Sequence, residues 1–337
     1  MLKRAFTASV LLVGAALVTQ YLDADSPRPA SPPVAIAPFM DDKPAAISFT
    51  FDDGIASHVE RAAPLLNQFH MPATFYVVAG KMRQHKSDPL PVEPRFRFGE
   101  ATLCWDEVRQ LAADGHEIGN HSLSHFMFTR LTDAKLAARE IEESRQRIEK
   151  EIGHAPTTFA FPYNEYNDGL KDAVLMAHAA VRENWTDFGG KTFTTRDANT
   201  MADDAARERR WLVPMIHGID GGFLPLSTSV FREHLAYLNA HRDKFWIDTY
   251  ERVNAYRALR QNAEVEVTDA TERGLTFSLR VDVPNAVTPM PLTAVINLPP
   301  DATPTVMQDD KPLPFTVRKN TLLINVEPNA APVTVSW

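Results

Sequence analysis

Strand-like and helix-like segments alternate from residue 45 to residue 261, and this alternation limits the fold more than any other feature of the chain. Apolar or β-branched stretches at 45–51, 73–78, 117–119, 159–161, 212–216 and 245–247 read as strands. Segments with helical spacing of apolar residues lie between them, at 59–69, 105–113, 132–151, 169–178, 228–240 and 250–261. A chain that returns to a strand after every helix builds a parallel sheet with crossover helices. Polar residues fall where these strands end: Asp52, Asp53, Tyr163, His217 and Asp248. In a β/α barrel the carboxyl ends of the strands carry the site, and this clustering fits that geometry. The pattern changes near Asn262. Short alternating runs separated by Pro and Asn/Asp turns then continue to Trp337, predicting a β-sandwich over 263–337.

The first residues have a different logic. Lys3 and Arg4 precede an apolar run over 5–18, as in a secretory signal, and the run is short for a membrane span. Residues 1–25 are therefore expected to direct export to the periplasm or the extracellular side, either cleaved or retained as an N-terminal anchor. Residues 26–40 hold Pro27, Pro29, Pro32, Pro33 and Pro38 and predict a Pro/Ala-rich tether, which leaves 41–262 for the barrel. The net charge of −8 argues against a nucleic-acid-binding surface. Cys104, the one cysteine, excludes an intramolecular disulfide and a Cys-rich zinc finger.

Four motifs carry chemistry. Thr50-Phe51-Asp52-Asp53-Gly54 sets two adjacent carboxylates at a strand end. Their mutual repulsion is costly unless a cation or a proton offsets it, and one bound to a divalent metal would leave the other as a base. The alternative is a strand-terminating Asx turn. His121-Ser122-Leu123-Ser124-His125 spaces two imidazoles four apart; on one face of a helical turn both meet a single ion. Phe159-Ala160-Phe161-Pro162-Tyr163 ends a strand on a rigid proline, so that the Tyr163 N–H can face an oxyanion. The apolar run 212–216 ends at His217.

In this order the four motifs resemble the NodB-homology polysaccharide deacetylases over about residues 42–260. The resemblance implies a distorted (β/α)7 barrel, here followed by the small C-terminal β-sandwich. It also implies a divalent cation, usually zinc, with cobalt or nickel as alternatives. The reaction implied is hydrolytic removal of acetyl groups from a carbohydrate polymer or oligosaccharide. Carried over, Asp52 is the general base, Asp53, His121 and His125 the metal ligands, Tyr163 the oxyanion donor and His217 the general acid. Pro162 and Trp185 are then expected at the substrate.

Two departures stand out. The family's third motif often has an arginine that positions the catalytic aspartate, and here Ala160 takes its place; Arg182 is a candidate replacement. The aspartate that tunes the acid histidine is not evident in Arg182-Glu183-Asn184-Trp185, which leaves Asp187, Asp220 and Asp248 as alternatives. Three functions remain open from sequence: a deacetylase of N-acetylated glycans, an O-acetyl esterase of plant polysaccharide such as acetyl-xylan, and a non-catalytic glycan-binding protein. The sandwich is expected to pack or to space the barrel before it binds carbohydrate, since Phe277, Phe315 and Trp337 are its few aromatic candidates for stacking on sugars.

Overall fold

The computed structural model describes residues 33–89, 101–131, 133–283 and 287–337. The expected leader and the first part of the expected tether lie outside the described residues. Among the described residues no helix is long and apolar enough to cross a membrane.

Seven short parallel strands form the main sheet, in the order Ala180–Val181, Thr158–Phe159, Glu117–Asn120, Thr74–Val77, Thr50–Phe51, Pro214–Ile216 and Thr186–Asp187. A second parallel sheet places Ala45–Ile47 between Phe245–Ile247 and Trp211–Leu212. The chain passes from one edge of the main sheet, Val181, to the other, Thr186, through only four residues. A flat seven-stranded sheet would hold its edges about 29 Å apart. Those residues reach at most about 18 Å. The sheet therefore has to curl, and residues 182–185 cross the seam that backbone pairing leaves open.

Strands in such a sheet are covered on both faces and need continuous apolar runs. Thr74–Val77 is buried at every position. Phe51 stacks on Phe75 at 4.9 Å, and Phe49 meets Phe231 edge-on at 5.5 Å. Each such buried ring contributes about 1.5–3 kcal/mol. The run expected as one strand over 45–51 divides after Ile47. There the Ser48 hydroxyl donates to the Thr249 carbonyl and accepts from the Trp211 indole. The sequence reading missed one helix, Thr195–Glu208. Its buried face is only Ala198, Ala202 and Ala205, too small to stand out as a periodic signal, although Thr194 and Asp197 form a capping box.

The C-terminal region has two antiparallel sheets. One is ordered Ala263–Thr271, Gly274–Val281, Val333–Ser336, Thr305–Gln308, Lys311–Pro312. The other is Val34–Ile36, Leu292–Asn297, Thr321–Val326, Phe315–Arg318. Alternate residues of both, among them Leu275, Phe277, Leu279, Leu292, Ala294 and Ile296, meet in one core. Tyr256 and Leu259 of the helix Tyr250–Gln261 enter the same core and join the sandwich to the barrel. Two differences from expectation follow. Val34–Ile36 falls in the stretch read as a tether, yet its β-branched residues add an edge strand to the sandwich. Phe277 is fully buried and offers no platform to a sugar, whereas Phe315 is exposed.

Candidate metal centre

The turn after Thr50–Phe51 separates the paired carboxylates. The Asp52 N–H still donates to the Ile216 carbonyl at 2.9 Å, which keeps Asp52 within the sheet. Asp53 and Gly54 then take φ of 80° and 66°. A left-handed aspartate is strained, and the glycine beside it makes the reversal feasible. The two side chains consequently meet different partners.

Asp53 faces the histidines. Its Oδ1 lies 3.1 Å from His125 Nε2 and 3.6 Å from His121 Nε2. One donor atom from each of the three residues falls within 4.8 Å of the other two. The histidines do not share a helical turn, contrary to expectation. His121 directly follows the strand Glu117–Asn120, and positive φ at Ser122 (69°) and His125 (62°) folds the second imidazole back. Hydrogen bonds hold this loop. Asn120 Oδ1 accepts from the Ser122 N–H and Ser122 Oγ from the His125 N–H. Glu140, on the helix Ala134–Ile152, accepts from the Leu123 and Ser124 N–H groups and from the Ser124 hydroxyl. Gly80 closes the other side: its N–H donates to the Leu123 carbonyl at 2.7 Å, and a Cβ there would sit 2.3 Å from that oxygen.

These donors suit a cation. His121 Nδ1 lies 2.7 Å from the Ala160 carbonyl, which can only accept, so Nδ1 carries the hydrogen and Nε2 turns a lone pair toward Asp53. Burial pushes His121 down to about 4, against the pull of Asp52, and keeps the ring neutral near pH 7. Burial works against ionisation of Asp53, but the hydrogen bond and charge of His125, with His121, hold its carboxyl below the usual range. A carboxylate oxygen facing an imidazole lone pair in a buried space is unfavourable without a positive charge between them. Ligand atoms about 2.1 Å from a shared ion stand roughly 3.0–3.4 Å apart, close to the 3.1 and 3.6 Å seen. Asp53, His121 and His125 thus fit a divalent metal.

Asp52 turns the other way and is buried against Arg182. The two terminal guanidinium nitrogens, Nη1 and Nη2, reach it at 2.6 Å, one to each oxygen. Arg182 also donates to Thr50 Oγ1 and Asn164 Oδ1, and it lies over the Tyr76 ring. Burial disfavours the Asp52 carboxylate, but Arg182 outweighs it and holds the group far below the ordinary carboxylate range. The arginine absent at Ala160 is thus replaced from the seam.

His217 lies close enough for its charge to act on both Asp52 and Asp53. Its carbonyl accepts from His58 Nε2 at 2.7 Å, and its ring stands edge-on to Phe223 at 5.0 Å. Among the described residues no carboxylate is hydrogen bonded to that ring. Asp220 holds Thr228 and Arg61, Asp248 holds Trp246 and Arg252, and Asp187 is exposed on an edge strand. Pro162 is buried, and Tyr163, at φ 62°, places its ring 4.8 Å from that of His125. Trp185, 37% exposed, sits on the segment crossing the seam. Sequence reasoning missed Glu140, His58 and Lys81. Lys81 is buried near Asp53: burial lowers its ammonium pKa and Asp53 opposes that shift. None of the three belongs to a motif, so only the fold brings them in.

Residues 40–180 match the polysaccharide deacetylase family. A gellan lyase of a Bacillus species is 24% identical over 89% of this chain and 13% of its own length. The peptidoglycan-N-acetylmuramic acid deacetylase of Bacillus subtilis is 28% identical over 49% of this chain and 32% of its own. The chain thus spans less than a third of either relative. Among solved structures, a family 4 acetyl xylan esterase from Clostridium thermocellum is 20% identical, with a TM-score of 0.46, over 62% of this chain and 89% of that one.

Proposed function

Since the segment 40–180 belongs to the polysaccharide deacetylase family, we propose that the chain is a metal-dependent hydrolase that removes N-acetyl groups from glycans. The observation that carries this reading is the convergence of Asp53, His121 and His125, with His121 buried and its tautomer fixed by the Ala160 carbonyl. A divalent ion held by Asp53, His121 and His125, with zinc the first choice, would acidify a water and polarise the acetyl carbonyl. Asp52 accepts the proton of the attacking water, and Arg182 keeps this base ionised and fixed in orientation. The Tyr163 N–H donates to the oxyanion. His217 delivers a proton to the departing amine.

Arg182 also removes the main ground for a non-catalytic glycan binder, which was the arginine missing from the third motif. One observation favours O-acetyl ester hydrolysis as a second reading. Among the described residues no carboxylate orients His217, and an alcohol leaves more readily than an amine. Acetate release from N-acetylglucosamine oligomers and from acetyl-xylan, each with and without a chelator, tests both readings. Release from the oligomers, abolished by chelator and restored by zinc, supports the first. Release confined to acetyl-xylan replaces it with the second, and no release from either substrate refutes both. The basic and apolar N-terminus supports export, which cell fractionation checks; recovery only in the cytoplasm would contradict it.

A further inference from the structure

Away from the triad, a cleft of about 590 Å³ opens beside the seam of the barrel. Val181 of one edge strand, Trp211 of the other sheet's edge strand and the helix Tyr250–Gln261 form its walls. Arg209, Arg210, Arg257 and Arg260 all line it. Glu183 is the one carboxylate in the lining, and Lys171 already holds it at 2.5 Å. Arg209 pairs with Asp42 and Arg210 with Glu208. Arg257 and Arg260 have no carboxylate partner among the described residues. The Arg257 guanidinium lies over the Trp211 ring, 5.2 Å from its centre, and Arg260 Nε donates to the Ile36 carbonyl at 3.2 Å.

In a chain of net charge −8 this cleft reverses the local sign. Like charges gathered in a concave site focus the field on a ligand of opposite sign. Guanidinium forks match the geometry of carboxylate and phosphate and hold them in paired hydrogen bonds. Stacking on indole orients such a fork. The volume exceeds what a free ion needs and falls among sites for small organic ligands, about 300–1,000 Å³. Asn184, Asn254 and Gln261 add amide groups suited to hydroxyls.

We propose that this cleft is an accessory site for an acidic glycan segment, whose carboxylate or phosphate is gripped by Arg257 and Arg260. The oxyanion chemistry follows from the cleft alone, since no residue of the triad lines it; that a carbohydrate bears the anion rests on the proposed function.

The test is titration calorimetry of the intact protein at low salt with three probes: an oligogalacturonate, inorganic phosphate and a neutral N-acetylglucosamine oligomer. The oligogalacturonate or phosphate binds, identifying a carboxylate- or a phosphate-bearing ligand, and the affinity falls as salt rises. Replacing both arginines (Arg257→Gln with Arg260→Gln) weakens that binding about tenfold or more. Neither binding of the neutral oligomer nor acetate release from a small soluble substrate changes in this variant. Arg257→Lys keeps the charge without the fork and weakens oligogalacturonate or phosphate binding severalfold, which covers a double variant that fails to fold. No binding of either anion, or anion binding unaltered by these substitutions, would overturn the proposal. Loss of acetate release with intact anion binding bears only on the hydrolase reading.

Discussion

Replacing Arg182 with methionine tests the most unusual part of the site. The guanidinium is fully buried and makes two hydrogen bonds of 2.6 Å to Asp52, itself 2% exposed. Methionine fills much of the space and leaves a buried carboxylate without its counter-charge. Breaking a buried pair in this way costs about 3–5 kcal/mol. In a domain of this size each kcal/mol moves the melting temperature by about 2–4 °C, so the loss is roughly 6–20 °C. The pH dependence has a definite sign. In the intact protein the Asp52 pKa lies below its ordinary 3.8, so its contribution is present above that pH and is lost as the pH falls through the depressed value. Without Arg182, burial is the largest remaining influence and moves the carboxyl pKa up, opposed only by the weaker pull of His121 and His217. The acid limb of acetate release then moves to higher pH. In a double-mutant cycle with Asp52→Asn the losses are not additive, because each single change strands the other's group. Calorimetric melting and a pH–rate profile provide the readouts. An Arg182→Met protein that melts within 2 °C of the parent and keeps its acid limb would refute the reasoning.

Further outcomes follow from the same geometry. Asp52→Asn lowers acetate release by about 10²–10⁴-fold and leaves metal content intact; an active variant removes Asp52 as the base. Glu140→Ala frees three hydrogen bonds on the metal loop and weakens metal affinity by about 10–100-fold in a chelator competition, whereas unchanged affinity would show that the loop holds itself. Glu117 is buried between Thr74, Thr158 and the Glu251 N–H, and burial, with Glu251, pushes its carboxyl up to about 7. Its contribution to stability is full below about pH 4.5 and is lost as the pH rises to about 7, on the order of 3 kcal/mol. Denaturant titrations across that window show the decline in the parent and a flatter curve in Glu117→Gln; equal slopes would place the proton elsewhere.

Much of the fold was legible because apolar strand runs and amphipathic helices announce themselves. Trp105–Ala113, Thr228–Ala240 and Tyr250–Gln261 match their expected bounds. The two-residue strands at the seam, Ala180–Val181 and Thr186–Asp187, gave no periodic signal, since parallel pairing with distant neighbours creates them. The triad was readable from residue type and spacing, although the helical turn invoked for His121 and His125 does not exist. Strained backbone at Asp53, Ser122 and His125 brings the three side chains together, and strain of this kind is a property of the fold that local preference does not foretell. Arg182 could be named as a candidate from sequence, but only the closeness of the sheet's edges explains why a residue beyond the third motif reaches Asp52. The partner sought for His217 among Asp187, Asp220 and Asp248 was not found there, because Asp220 and Asp248 bond to other groups and Asp187 faces outward.

The central claim is that Asp53, His121 and His125 jointly hold one divalent cation. Elemental analysis of the dialysed protein after incubation with zinc measures this directly, with His121→Ala and Asp52→Asn alongside. One ion per chain in the parent and in Asp52→Asn, and none in His121→Ala, is the expected result. Zinc absent from the parent, or present equally in all three proteins, would contradict it.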